Sequence, residues 1–223
     1  MLIGNYPLNR SREVGKARSQ VLNITITIAI TVSMLPAMRG AFFVAERRQC
    51  MESKRVIMDD KAVQRAIARI SYEIIERNKG TEDLCIVGIL SRGVPIGRRI
   101  AAKLSELEKN TVPFGSLDIT PYRDDSKPAG DNERTEIPFD ITDKNIVIVD
   151  DVIFTGRSSR AAIDALIKRG RPRSIQLAVL IDRGHRELPI RADYVGKNLP
   201  TSHSEVVRVS VEEIDGSDGV AIY

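Results

Sequence analysis

The chain is poor in aromatic and metal-binding side chains, and these shortages exclude several functional classes. Tryptophan is absent and aromatic residues make up 4% of the 223 residues, which argues against a surface that stacks many bases. Two cysteines and two histidines are too few for a disulfide framework or a Cys/His zinc cluster. Hydrophobic residues reach 42%, so the chain can bury the core of one domain, with or without a tail.

The net charge of +4 is unevenly distributed. Residues 1–50 hold seven basic and two acidic side chains, whereas residues 51–223 hold 27 basic and 28 acidic ones, a net charge of −1. Bulk charge therefore gives no reason to expect nucleic-acid binding by the main part of the chain. A local basic patch would have to supply it.

The first fifty residues differ in pattern from the rest. An uncharged run over 21–38 alternates polar and apolar residues at 23–28, which is typical of a strand or an aggregation-prone segment. Basic residues precede this run, so a secretory signal or a short membrane anchor is the alternative interpretation. Met51 opens a stretch that reads as a complete domain. We therefore expect residues 1–50 to be an extension, disordered or due to an upstream start, and residues 51–223 to be the functional domain.

Helical and strand-like patterns alternate along residues 51–223. Apolar residues three and four positions apart predict a first helix, with Asp59 or Asp60 as its N-cap and a stop at 78–80. Short apolar runs predict buried strands. The predicted series is helix 61–77, strand 83–90, helix 95–110, strand 112–119, loop 121–136, strand 146–149, helix 158–169 and strand 174–181.

This alternation predicts an α/β fold with a central, mostly parallel sheet flanked by helices on both faces. Residues 193–223 show only short alternating segments, such as 206–211, and we expect a small sub-structure there at one end of the sheet. Ligands of such sheets bind beyond the carboxyl ends of the strands. Four loops should therefore converge on one site, namely 91–94, 121–136, 150–157 and 182–187.

The strongest functional signal lies in the segment 146–159. Four apolar residues lead into Asp150 and Asp151, and a turn with Thr155 and Gly156 then opens a helix. Free backbone N–H groups at a helix start can hold a phosphate. The carboxylates would repel that phosphate, so ribose hydroxyls or a metal bound to them are better partners. Taken alone, the acidic pair could also be a helix cap beside a solvated carboxylate, but the whole segment predicts a 5-phosphoribosyl ligand.

The segment resembles the diphosphoribose-binding signature of type I phosphoribosyltransferases. Phe154 is typical of one branch, the PyrR proteins, which are pyrimidine-operon attenuators and uracil phosphoribosyltransferases. The resemblance covers 55–222 and includes 117–125 and 182–198. It implies the type I phosphoribosyltransferase fold, with a small C-terminal hood. It also implies a homo-oligomer, dimer or tetramer, that is cytoplasmic and not bound to a membrane. The implied reaction makes UMP and pyrophosphate from uracil and phosphoribosyl pyrophosphate. Mg²⁺ would arrive with the substrate, with no metal site of the protein's own.

The resemblance assigns roles to single residues. Asp150 and Asp151 would bind the ribose hydroxyls, while Arg92 and Arg123 would stabilise the departing pyrophosphate, and these four form the implied catalytic set. Arg92 belongs to the implied pyrophosphate loop, where the family often has a non-proline cis peptide. Arg183 would lie on the nucleobase side. The implied substrate-binding residues are Ser91, Arg92, Gly93, Asp150, Asp151, Val152, Thr155, Gly156, Arg157, Ser158, Ser159, Arg183 and Val207.

RNA binding is implied as well, because PyrR proteins bind a leader mRNA of the pyrimidine operon in response to UMP or UTP. Ala68 and Tyr72 depart from the Thr and His expected in that patch, which leaves a plain enzyme as an alternative. Two further alternatives are a UMP-sensing regulator with negligible turnover and a transferase for another nucleobase. The implied RNA-binding residues are Arg69, Arg77, His185, Arg191 and Lys197.

Overall fold

The computed structural model of the chain describes residues 55–124 and 134–223. The predicted extension over 1–50 lies outside these residues, so its boundary stays a prediction. A short 3₁₀ turn at Thr120–Tyr122 follows the third strand. The elements are β1 (Arg55–Met58), α1 (Asp60–Asn78), β2 (Leu84–Ile89), α2 (Gly93–Glu108), β3 (Phe114–Leu117), β4 (Asn145–Ile153), α3 (Arg157–Arg169), β5 (Ser174–Asp182), β6 (Tyr194–Asn198), β7 (Val207–Ser210), α4 (Glu212–Asp215) and β8 (Gly219–Ile222).

Five parallel strands form the main sheet, in the order β3-β2-β4-β5-β6. Its central strands are continuous apolar runs because both faces are covered by helices. Alternate residues of β4 enter different cores: Val147 and Val149 face α1 and α2, whereas Ile146 and Ile148 face α3. The predicted α/β architecture is therefore confirmed.

The first helix begins and ends where local chemistry predicts. Asp59 is the N-cap, and its Oδ1 accepts a hydrogen bond from the backbone N–H of Ala62 at 2.8 Å. Such a cap is worth about 1 kcal/mol. Lys79 ends the helix in the left-handed region at φ 57°, and its N–H turns back to Glu76 O and Ile75 O.

A second, three-stranded antiparallel sheet with the order β1-β8-β7 forms the hood together with α4. The prediction for 193–223 was wrong in one respect, because β6 joins the main sheet beside β5 instead of the sub-structure. The hood also takes its edge strand from β1, which pairs Arg55 with Ile222. β1 has only four residues, and its partner β8 lies at the other end of the described chain. The sequence therefore shows no hydrophobic pattern that would reveal this pairing.

Within residues 55–124 and 134–223, every helix is too short or too polar to cross a bilayer. Other element bounds differ from the predicted ones by two residues or fewer, except at β4. The predicted strand stops at Val149, whereas β4 continues to Ile153. The acidic pair thus lies on the strand and not in the loop after it.

Candidate active site

Asp150 and Asp151 are held on the last part of β4. Asp150 pairs with Val179 of β5, and both carboxylates are half-buried. One oxygen of each accepts a backbone N–H: Asp150 Oδ1 from Asp151 at 2.9 Å, and Asp151 Oδ1 from Val152 at 2.8 Å. These bonds fix both side chains at the carboxyl edge of the sheet, where ligands of parallel sheets bind.

The surroundings of the pair make negative charge costly there. Burial raises the pKa of the Asp150 carboxyl well above its ordinary value, and the neighbouring charge of Asp151 raises it further. Burial also raises the pKa of Asp151, although its own hydrogen bonds and the nearby Arg92 oppose that effect. Ligands that donate hydrogen bonds or bring positive charge suit such a pair, and ribose hydroxyls are donors of this kind.

The loop before α2 lies directly against the end of β4. A Cβ added to Gly93 would stand 2.3 Å from Val149 O and 3.3 Å from the Cα of Asp150, so this contact requires glycine. The peptide bond between Leu90 and Ser91 is cis and does not precede proline. The structure therefore brings the predicted pyrophosphate loop next to the acidic pair.

Arg92 of this loop is bound by a residue that sequence reasoning missed. Its Nε donates to Asp215 Oδ2 at 3.1 Å, and its Nη2 donates to Asp215 Oδ1 at 2.9 Å. Asp215 ends α4 in the hood, far along the chain from Arg92, so no local pattern could have revealed the pair. The hydrogen bonds to this carboxylate raise the pKa of Arg92 further.

The turn after β4 forms the wall of a cavity of about 310 Å³. Gly156 takes φ +93° there, in the left-handed region, and the next residue begins α3. Arg123 reaches the same cavity from the long loop, and its charge lowers the pKa of Asp150. The lining residues are Arg123, Val152, Ile153, Phe154, Thr155, Gly156, Arg157, Ser158 and Ser159.

The side chain of Arg157 ties two loops together. Its Nη1 donates to Asp124 Oδ2 at 2.6 Å, and its Nε donates to Glu187 Oε2 at 2.9 Å. The loops that carry Asp124 and Glu187 are therefore held together at the start of α3. Asp124 and Glu187 were not among the predicted site residues. Since Nε, Nη1 and Nη2 of Arg157 all contact these carboxylates, its backbone N–H, which makes only a long 3.4 Å contact with Thr155 Oγ1, is the better candidate for a phosphate contact.

Phe154 and Arg183 form a stacked pair. The guanidinium carbon of Arg183 lies 4.1 Å from the centroid of the Phe154 ring. Arg183 is buried, and it donates to Thr201 Oγ1, Ser202 O and Glu205 O. It thereby anchors the segment that leads to Val207 at the start of β7. Arg183 and Val207 thus belong to one region next to the turn, although neither lines the cavity.

Comparisons with known proteins decide the family. The phosphoribosyl transferase domain family matches residues 56–214. Bifunctional protein PyrR of Thermus thermophilus is 58% identical over 176 residues, covering 78% of this chain and 97% of that protein. The chain belongs to the PyrR family. Bifunctional protein PyrR of Bacillus pumilus is 55% identical over 178 residues, covering 78% of this chain and 99% of the relative.

Solved structures confirm the fold of this PyrR-family chain. The hypoxanthine phosphoribosyltransferase of Trypanosoma cruzi aligns with a TM-score of 0.59 at 17% identity, over 75% of this chain and 95% of that one. At that identity the likeness concerns the fold alone. The predicted type I phosphoribosyltransferase fold and the predicted PyrR membership are both confirmed.

The structure of this PyrR-family chain brings four of the five predicted RNA-binding residues to one edge of the main sheet. Arg69 on α1 donates to Val195 O and Gly196 O of β6 at 3.0 and 2.6 Å, and it pairs with Glu73. Lys197 is exposed on β6, and Arg191 is exposed just before this strand.

Of the other two members of the set, Arg77 lies at the same edge, whereas His185 lies beside Phe154 of the candidate site. Arg77 pairs with Asp193 at 2.8 Å. His185 places Nε2 2.5 Å from Thr201 O, and its ring meets that of Phe154 edge-on at 5.9 Å. Four of the five residues are thus gathered at this edge, but acidic partners of Arg69 and Arg77 reduce the charge that the edge presents.

Proposed function

We propose that this PyrR-family chain is a uracil phosphoribosyltransferase. The observation that carries the proposal is that the acidic pair of β4 lies between a loop and a cavity. On one side is the pyrophosphate loop, packed against β4 through Gly93, and on the other is the cavity of the 154–159 turn. A sugar that carries a phosphate at one end and a pyrophosphate at the other fits this order of groups. Family membership supports the same reaction.

The residues divide the work of the reaction. Asp150 and Asp151 would hold the ribose hydroxyls through oxygens that their backbone hydrogen bonds leave available. The N–H groups at the start of α3 would hold the 5-phosphate. The C1–O bond to pyrophosphate breaks through an oxocarbenium-like state, a C1–N1 bond to uracil forms, and the N1 proton leaves to solvent. Arg92 and Arg123 would stabilise the charge on the departing group.

Magnesium fits this arrangement as a companion of the donor. Among residues 55–124 and 134–223, no group of three or more His, Cys, Asp or Glu side chains is placed to hold a metal. Mg²⁺ is usually bound by phosphate oxygens of the substrate together with one or two carboxylates. Asp150 and Asp151 could provide those carboxylates. When bound, the ion neutralises part of the charge on the pyrophosphate.

A steady-state assay tests the proposal. Full-length protein is incubated with phosphoribosyl pyrophosphate, Mg²⁺ and one of four bases: uracil, hypoxanthine, guanine or orotate. We expect UMP from uracil and little product from the other three. Turnover with a purine or with orotate in preference to uracil would refute the assignment of the base. Binding of UMP without turnover would identify a sensor instead of an enzyme.

A second function, RNA regulation, is supported by the basic edge along α1 and β6. The relatives are named bifunctional, and residues of the predicted RNA-binding set lie together there. We propose that UMP or UTP promotes binding of a pyrimidine-operon leader mRNA to this edge. Filter binding with and without UMP tests this, and equal affinity in both conditions would contradict it. We further propose a cytoplasmic homo-oligomer, dimer or tetramer, and sedimentation of the purified chain measures that state.

A further inference from the structure

Two arginines, one immediately before α2 and one on it, connect this region to the hood, and a carboxylate of α4 binds each of them. Asp215 accepts two hydrogen bonds from Arg92. Glu213 likewise accepts two hydrogen bonds from Arg99, at 2.9 and 2.6 Å. Arg99 also contacts Asp218. Arg99 by itself therefore attaches the hood to α2. The pair of Arg92 with Asp215 is not needed for that attachment and requires another explanation.

The Arg92 pair differs from the Arg99 pair in its position. Arg92 is the residue immediately before α2, on the loop that packs against β4, and it is close enough to Asp151 for the two charges to interact. Asp215 is itself fixed, because its Oδ2 also accepts the backbone N–H of Val211 at 3.0 Å. The side chains of Arg92 and Asp215 keep only 28% and 17% of their surface exposed, so the pair is partly shielded from water.

We propose that Asp215 is a positioning residue for the transferase reaction, which holds the Arg92 guanidinium in place for the pyrophosphate. The inference rests on the proposed function, since it requires Arg92 to meet that group. A long arginine side chain loses rotamer entropy when it is ordered. Asp215 orders it before the substrate arrives, so the transition state meets a preorganised charge.

A direct electrostatic effect of Asp215 on the ligand predicts the opposite change in pyrophosphate affinity. Asp215 brings a negative charge near the position of a strongly anionic group, so Coulomb repulsion alone would weaken pyrophosphate binding. If that effect dominates, Asp215→Asn binds pyrophosphate more tightly. If positioning dominates, the same substitution binds it more weakly. The direction of the change therefore separates the two.

The experiment compares Asp215→Asn with Glu213→Gln in the full-length chain. Glu213 is a matched control because it lies on the same helix, loses the same charge and also grips an arginine of the α2 region at two points. For each variant, kcat, KM for phosphoribosyl pyrophosphate, affinity for Mg²⁺-pyrophosphate and Tm are measured. We expect kcat/KM and pyrophosphate affinity to fall about tenfold in Asp215→Asn, by analogy with partners that orient metal ligands. Glu213→Gln should stay within about twofold of wild type, because Asp218 still binds Arg99 and a single ion pair with a solvent-exposed carboxylate contributes little.

Two further variants keep the test decisive if Asp215→Asn lowers Tm. Asp215→Glu retains the carboxylate and should recover part of the loss. Combining Asp215→Asn with Arg92→Gln should cost little more than Arg92→Gln alone, because the two residues act as one unit.

Unchanged or tighter pyrophosphate binding in Asp215→Asn would overturn the inference, as would equal losses in Asp215→Asn and Glu213→Gln. Full additivity of the double variant would overturn it too. In all three cases a working wild-type enzyme leaves the proposed function standing. Failure of the wild type to bind or convert phosphoribosyl pyrophosphate would overturn the proposed function, and this inference with it.

Discussion

At the residue scale, burial of the acidic pair makes the stability of the fold depend on pH. Burial raises the pKa of both Asp150 and Asp151, which means that the folded state binds their protons more tightly than the unfolded chain does. Stability from this source therefore rises as pH falls through the raised pKa values and is lost as pH rises above the ordinary value of 3.8. Ionising the pair therefore works against folding.

Asp151→Asn should consequently lose activity and gain stability. The amide can still accept the N–H of Val152, but it removes a half-buried charge. We expect kcat/KM to fall on the order of 10²–10³-fold, and Tm at pH 7 to rise by about 2–4 °C for each kcal/mol recovered. The rise should shrink at pH 4. Asp164→Asn, which breaks an exposed pair with Arg160 on α3, is the control. Near-wild-type turnover of Asp151→Asn would show that the site is wrongly assigned.

Arg183 is the second residue whose chemistry can be tested singly. Lysine keeps the charge but loses the planar fork that reaches Ser202 O and Glu205 O and stacks on Phe154. Arg183→Lys should cost about 1–3 kcal/mol of stability, since part-buried carbonyls lose their donors. It should also raise KM for uracil more than KM for phosphoribosyl pyrophosphate. Equal effects on the two KM values would place Arg183 away from the base.

At the element scale, the site depends on contact between the loop before α2 and the end of β4. Gly93→Ala places a methyl group against Val149 O, so the loop must move away from the acidic pair. We expect a loss of kcat/KM of about 10²-fold, because reacting groups tolerate little displacement. Gly219→Ala is the control, since the nearest atom to its added Cβ, Met58 O, lies 3.5 Å away. A Gly93→Ala enzyme that works as well as Gly219→Ala would contradict this account of the loop.

Local elements were predictable from the sequence, and distant pairings were not. Asp59, the apolar run of β4 and the turn at Gly156 each act through neighbours within a few residues, so their pattern is visible in the chain. The family resemblance added roles that local patterns lack. β1 and the contact of Asp215 with Arg92 depend on partners more than 100 residues away, which no period or motif encodes. β6 was assigned to the wrong sheet for a different reason: it pairs with nearby β5, but as a half-exposed edge strand it lacks the continuous apolar run of the inner strands.

At the scale of the whole molecule, charge limits how RNA can bind. Residues 51–223 carry a net charge of −1, and acidic partners hold Arg69 and Arg77. We expect a shallow dependence of RNA affinity on salt, equivalent to a few phosphate contacts. Lys197→Gln should weaken binding of leader mRNA, lower that slope by about one and leave uracil transfer unchanged. Filter binding over a salt series measures both. An unaltered RNA affinity would remove Lys197 from the interface.

Above all, we propose that the acidic pair and the turn after it bind an activated sugar phosphate. Calorimetric titration of the full-length chain with phosphoribosyl pyrophosphate and Mg²⁺, repeated on an Asp150→Asn/Asp151→Asn double variant, measures this binding. We expect saturable binding to the wild type and a loss of most of that affinity in the folded double variant. Equal binding by both proteins, or none by the wild type, would contradict it.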